Sequence, residues 1–89
     1  MPKVSFTAAL ERFLSAPSVE VEAVTLSEAL AAVFTSKPTL RGYLLDDQGA
    51  LRCHVAVYIN GWPVKDRTGL TDPLSPRDEI YVFQALTGG

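Results

Sequence analysis

Thr25-Leu26-Ser27-Glu28-Ala29-Leu30-Ala31-Ala32-Val33-Phe34 carries Leu26, Ala29, Leu30, Val33 and Phe34 at i, i+3, i+4, i+7 and i+8. That is the stripe of an amphipathic helix with one face committed to a core. Thr25 stands three residues before Glu28, the spacing of a capping box, which starts the helix there. Pro38 disfavours helical geometry in the residue before it, so the helix stops near Thr35 to Lys37. Pro38 also suits the first turn of a second, shorter helix in which Leu40, Tyr43 and Leu44 share a face. Asp46-Asp47-Gln48-Gly49 then reads as a polar turn.

On either side of this helical pair the period is two. Lys3 to Ala8 alternates, with Val4 and Phe6 on one face, and predicts a half-buried strand. Ala9 to Leu14 fits neither period, and Ala16-Pro17-Ser18 marks a turn. Val19-Glu20-Val21-Glu22-Ala23 predicts a second strand with its carboxylates in solvent. Cys53 to Ile59 alternates again, with Cys53, Val55, Val57 and Ile59 on one face. Asn60-Gly61 is the signal of a type I′ hairpin. The return strand, Trp62 to Lys65, is weakened by Pro63, which has no N–H for a ladder. Asp72-Pro73 and Ser75-Pro76 punctuate a loop, and Glu79 to Gln84 is the last strand, with Ile80 and Val82 inward and Tyr81 and Phe83 outward. The expected class is α+β: a mixed sheet of about four to five strands, one main helix laid across it and a short second helix.

Composition narrows the function. Eighty-nine residues make one small domain. An apolar share of 47% with 20% charged residues argues against disorder. A net charge of −2 gives no electrostatic drive toward nucleic acid. No apolar run is long enough to span a membrane, and the first residues lack the pattern of a signal peptide. The single cysteine cannot close an internal disulfide, which suits a reduced, cytoplasmic chain. In a strand, Cys53 and His54 point to opposite faces and form no nucleophile–base pair. Cys53 reads as a core residue and His54 as a surface one, with no second histidine for a metal site. Asp46-Asp47 and Asp78-Glu79 read as solvated turns, so no catalytic residues and no bound metal are expected. Tyr58, Trp62, Tyr81 and Phe83 are expected to cluster on the outer face of the sheet. They would be either a contact surface or ordinary, partly exposed aromatics.

After Phe83 the chain reads Gln84-Ala85-Leu86-Thr87-Gly88-Gly89. Small residues at a terminus can be a frayed end, and by themselves these six leave function and chance evenly balanced. Three further stretches precede them: Val57-Tyr58-Ile59-Asn60-Gly61, Gly69-Leu70-Thr71-Asp72-Pro73-Leu74, and Arg77-Asp78-Glu79-Ile80. In this order, closed by the diglycine, the chain resembles the ThiS/MoaD family of ubiquitin-like β-grasp sulfur carriers. Pro38-Thr39-Leu40-Arg41 leading to Gly49-Ala50-Leu51-Arg52 resembles the longer, MoaD/CysO-like branch. Two positions depart from the family's pattern. Arg77 stands where glycine is common, which predicts a type I turn over Ser75-Pro76-Arg77-Asp78. Trp62-Pro63 stands where polar or acidic residues usually follow the hairpin.

The resemblance implies a β-grasp domain over residues 1–84 and a flexible diglycine tail over residues 85–89. It implies that Gly89 is adenylated by an E1-like enzyme of the MoeB/ThiF type, which uses ATP, and then carries sulfur as a thiocarboxylate. A sulfur-accepting enzyme of molybdopterin, cysteine, thiamin or another biosynthesis would follow, and the chain itself would bind no cofactor and catalyse nothing. Thr87 and Gly88 would complete the tail, and Tyr58, Trp62, Tyr81, Phe83 and Leu86 would meet partners. Glycine suits the role because it has no Cβ to obstruct a narrow channel. Leu86 to Gly89 would reach roughly 13–14 Å beyond the sheet, and with nothing after Gly89 no trimming is expected. Two other classes remain open: a protein modifier conjugated through the same diglycine, and a β-grasp interaction module in which the diglycine is incidental.

Overall fold

A computed structural model describes residues 1–6 and 18–84, with the backbone alone at Gln84. The elements are β1 (Lys3–Phe6), β2 (Ser18–Glu20), α1 (Leu26–Ser36), α2 (Pro38–Leu44), β3 (Val55–Ile59), β4 (Trp62–Pro63) and β5 (Glu79–Gln84). The strands form one mixed sheet in the order β2-β1-β5-β3-β4, with β1 and β5 parallel and the other pairs antiparallel. A parallel pair needs a long crossover, and α1 and α2 lie in the chain between β1 and β5. The expected α+β architecture is the observed one.

The inner face of the sheet presents Val4 and Phe6 from β1, Val55 and Val57 from β3, and Ile80 and Val82 from β5. Against it pack Leu26, Ala29, Leu30, Val33 and Phe34 of α1 and Leu40 and Leu44 of α2, all buried. The helical stripe is thus the stripe the sheet needs. The Asn60-Gly61 turn takes φ values of +54° and +87°, as a type I′ hairpin requires. Asn60 also ties that turn to β5, its side-chain oxygen accepting from the Glu79 N–H at 2.9 Å and its amide donating to Asp78 at 2.8 Å.

The start of α1 is capped from two directions. The Thr25 hydroxyl oxygen accepts from the Glu28 N–H at 3.3 Å, while the Glu28 carboxylate reaches the Val24 N–H at 3.1 Å. In a capping box that second bond goes to the cap residue itself; here it falls one residue earlier. The N–H groups of Leu26 and Ser27, which no helical turn can satisfy, donate to the carbonyls of Asp72 and Leu70 at 2.9 and 2.8 Å. Those carbonyls are held by Asp66, whose carboxylate accepts from the Thr71 hydroxyl at 2.6 Å, the Gly69 N–H at 2.8 Å and the N–H groups of Thr68 and Thr71. The Thr71 hydroxyl first, then the Gly69 N–H, hold the Asp66 carboxyl well below the usual carboxylate range. The loop so formed keeps Leu70 at φ +55°, a left-handed conformation rare outside glycine, with its side chain buried.

Several expectations need correction or trimming, among them the return strand, which covers Trp62–Pro63 and not Trp62 to Lys65. Cys53 and His54 are not strand residues: the Val55 N–H donates to the Arg52 carbonyl at 2.9 Å, which closes a turn with Cys53 and His54 at its centre. Cys53 is accordingly exposed and not part of the core. The Arg67 guanidinium pins this turn by donating to the carbonyls of Arg52 and Val55 at 2.8 and 2.6 Å. Tyr43 does not share the buried face of Leu40 and Leu44; it is exposed. The second strand covers Ser18–Glu20 and not Val19 to Ala23, because Glu20 already pairs with Lys3, where β1 begins. The first strand ends at Phe6 among the described residues; Thr7 to Pro17, including the ambiguous Ala9–Leu14 stretch, lie outside them. The Ser75–Asp78 turn is closed by the Asp78 N–H on the Ser75 carbonyl at 3.0 Å without positive φ at Arg77, consistent with type I.

Two outcomes follow. Leu30→Ala, at a side chain only 1% exposed, should cost about 2–5 kcal/mol in urea unfolding, and a loss under about 0.5 kcal/mol would show that the site repacks or is misassigned. Asp66→Asn should lower the melting temperature at neutral pH. Because the folded carboxyl is depressed, its contribution is full above the unfolded value near 3.8 and fades as pH falls below it. The gap between the two melting temperatures should therefore be flat above about pH 5 and narrow below about pH 4. A gap unchanged in acid would assign the effect to shape and not charge.

Candidate functional site: the central strand and its outer face

The functional geometry starts from β5, which occupies the middle of the sheet with partners on both edges. Its alternation turns Ile80 and Val82 into the core and leaves Tyr81 and Phe83 on the outer face, about 40% exposed (38% and 39%). Tyr58 of β3 lies directly opposite Tyr81, and Ala56 directly opposite Phe83. The small Ala56 side chain leaves room beside Phe83, and the Tyr58 ring meets the Phe83 ring diagonally, with centroids 5.5 Å apart and planes tilted by 49°. Tilted rings at this separation are in attractive contact.

On the β1 side, Lys3 and Ser5 lie beside Glu79 and Tyr81. The Tyr81 hydroxyl donates to the Glu79 carboxylate at 3.1 Å. That bond, reinforced by the carboxylate's charge, pushes the Tyr81 phenol up from its ordinary pKa and keeps it a neutral donor. The outer face is therefore an aromatic patch with a polar margin, the composition typical of a contact surface.

Trp62 does not join it. The two-residue turn puts Trp62 opposite Ile59 and Pro63 opposite Tyr58. Ile59 shares the inner side of β3 with Val55 and Val57, so Trp62 projects toward the helical side of the sheet, at its rim. The four aromatics expected together divide three and one. Counting the register across Asn60-Gly61 would have separated them from sequence.

β5 ends with Gln84 opposite Val55, beside the Cys53-His54 turn that Arg67 holds. The expected tail positions Leu86, Thr87, Gly88 and Gly89 lie outside the described residues. Among the described residues, no group of three or more His, Cys, Asp or Glu is placed to hold a metal ion, and no helix is long and apolar enough to cross a membrane. Sequence reasoning passes over Asp66 and Arg67, and it reads Asp72 only as loop punctuation and not as the acceptor for the N–H groups of Lys65 and Asp66. The run Asp66-Arg67-Thr68-Gly69-Leu70-Thr71-Asp72 does carry a signal for them, since Asp and Thr side chains bond nearby main chain in such turns.

The same fold occurs in solved structures. SAMP1 from Haloferax volcanii is 25% identical, with a TM-score of 0.83 over 99% of this chain and 98% of that one. A chain of the BexX/CysO complex from Amycolatopsis orientalis matches over 100% of both chains at a TM-score of 0.87 and 23% identity. CysO from Mycobacterium tuberculosis matches over 97% of this chain and 100% of its own, at a TM-score of 0.84 and 21% identity. The last two, at such identities, speak for the fold alone, which is the ubiquitin-like β-grasp. No curated protein matches the chain at a significant level. The sequence model of the ThiS family matches residues 4–89, almost the whole chain and the diglycine with it, and the chain belongs to that family.

Proposed function

We propose that this protein is a sulfur carrier whose working group is the Gly89 main-chain carboxylate. The observation that carries the reading is the family match running through Gly88 and Gly89. A carboxylate is a poor acyl donor because its oxygen is a bad leaving group. An E1-like enzyme of the MoeB/ThiF type would join it to the α-phosphate of ATP, releasing pyrophosphate and leaving an acyl adenylate. A sulfur donor would then attack the acyl carbon and expel AMP, and the resulting thiocarboxylate would pass its sulfur to a biosynthetic enzyme of the cytoplasm, in molybdopterin, cysteine or thiamin synthesis. The chain binds no cofactor of its own in this scheme and is the substrate of its partners.

The aromatic patch of Tyr58, Tyr81 and Phe83 supplies the docking face, on the same strand that leads into the tail. CysO of Amycolatopsis orientalis is found in complex with BexX, which supports a carrier that docks on a partner protein. A second reading is favoured by the likeness to SAMP1, a small archaeal modifier protein: the same activated glycine would be joined to a lysine of another protein.

The decisive measurement is ATP–pyrophosphate exchange with the cognate E1-like enzyme. Deleting Gly88 and Gly89 should abolish exchange and leave the melting temperature nearly unchanged, because a terminal segment adds little to the core. Gly88→Val should behave like the deletion if the enzyme channel has no room for a Cβ. Full exchange by the truncated chain would make the diglycine incidental and leave an interaction module. Intact mass after co-expression separates the other two readings: exchange of one terminal oxygen for sulfur marks the carrier, and a ladder of conjugates marks the modifier.

Phe83→Ser should weaken binding to the activating enzyme by about tenfold or more, as expected for a central aromatic contact, with little change in unfolding. Unchanged affinity in a titration would remove the outer face from the interface.

A further inference from the structure

On the β4 edge of the sheet a groove of about 600 Å³ is lined by Ile59, Trp62, Pro63, Lys65, Asp72 and Pro73. It lies at the hairpin end of β3, whereas Gln84 lies at the opposite end beside Val55. Trp62 is 76% exposed, the most exposed large apolar side chain among the described residues. An isolated exposed leucine needs no explanation, but tryptophan is the side chain most enriched at the energetic centres of contacts.

The groove is built before anything enters it. Trp62 is held in register opposite Ile59 by the hairpin. Pro63 and Pro73 have φ fixed by their rings. The Asp72 carboxylate accepts from the N–H groups of Lys65 and Asp66 at 2.9 and 2.8 Å, which ties the Pro73 wall to the strand edge. A site so preset loses little ordering entropy on binding.

Its open polar groups indicate what it takes. Asp72, the only acid lining it, has both oxygens on backbone N–H groups. Among the described residues, the Lys65 ammonium and the Trp62 indole N–H have no hydrogen-bond or ion-pair partner. The groove thus offers donors, one of them cationic, over an apolar floor of tryptophan, isoleucine and two prolines. Its occupant has to bring an apolar body and an adjacent carboxylate.

We propose that this groove docks a short acidic-apolar segment of a partner protein, with an apolar or proline side chain against Trp62 and Pro63 and a carboxylate on Lys65. The six-residue β5 runs about 17 Å from the hairpin end of the sheet to Gln84. A partner can therefore hold the protein here while the other end of the sheet is engaged elsewhere. The site does not depend on the chemistry of Gly89, so it stands or falls separately from the carrier reading.

The chain has one tryptophan, and it lines the groove, so its emission reports occupancy directly. The probe is a fluorescein-labelled peptide, Glu-Pro-Leu-Pro-Glu, titrated by anisotropy against the full chain, with Lys-Pro-Leu-Pro-Lys as the control and an unlabelled copy for tryptophan emission. The acidic peptide should bind saturably and shift the Trp62 emission to shorter wavelength. Lys65→Glu should weaken it by about tenfold or more and reverse the preference toward the basic peptide. Trp62→Ala should abolish binding, with an unchanged melting temperature because both side chains are exposed. The proposal is overturned by equal binding of the two peptides, by no saturable binding of the acidic one, or by indifference to Lys65→Glu. An emission shift that grows with protein concentration alone, with dimers in sedimentation, would assign the groove to a second copy and overturn it too.

Discussion

From Ile80 to Val82 the main chain of β5 has a strand partner on both edges, running with β1 and against β3. A strand held in this way cannot slip by one residue without turning Ile80 and Val82 to water and Tyr81 and Phe83 into the core. That fixes which face receives α1 and which face keeps its aromatics. It also explains why the hairpin tip is tied down, since Asn60 bonds the first residues of β5 and sets where the strand begins.

The second long-range dependence joins α1 to the loop after β4. A helix of eleven residues is marginal alone, and here two of its orphan N–H groups rest on carbonyls of the loop that Asp66 gathers. The charge on Asp66 is therefore spent on order and not on chemistry, although a strongly depressed carboxyl often marks a working site. Its partners are hydroxyls and N–H groups of its own loop, which is how a structural turn looks.

Local signals were legible and long-range ones were not. The α1 stripe, the type I′ turn and the inward alternation of Ile80 and Val82 depend on neighbours within a few residues, and each is found where the pattern puts it. Cys53 and His54 continue an alternating pattern, but the turn closed by Arg52 and braced by Arg67 overrides it. Trp62 was grouped with the outer aromatics by residue type, whereas its side is decided by the residue across the hairpin. The meeting of Tyr58, Tyr81 and Phe83 was legible because strand parity alone brings them to one face. The family resemblance rested on the order of motifs, which composition and periodicity do not encode, and it was the diglycine that made that order specific.

One consequence concerns the open side of β4. Val64 sends its N–H inward to the Val57 carbonyl at 2.9 Å, so the flanking positions 63 and 65 are those whose N–H groups would face away from the sheet. Proline at 63 has none, and the N–H of Lys65 is taken by Asp72. A foreign strand arriving at this border finds no donor to pair with, the same defence that natural sheets mount against fibril growth. This border, with its bare tryptophan, thus gives no main-chain donor for a continuous ribbon of copies, and contacts there are left to side chains, which can choose among partners.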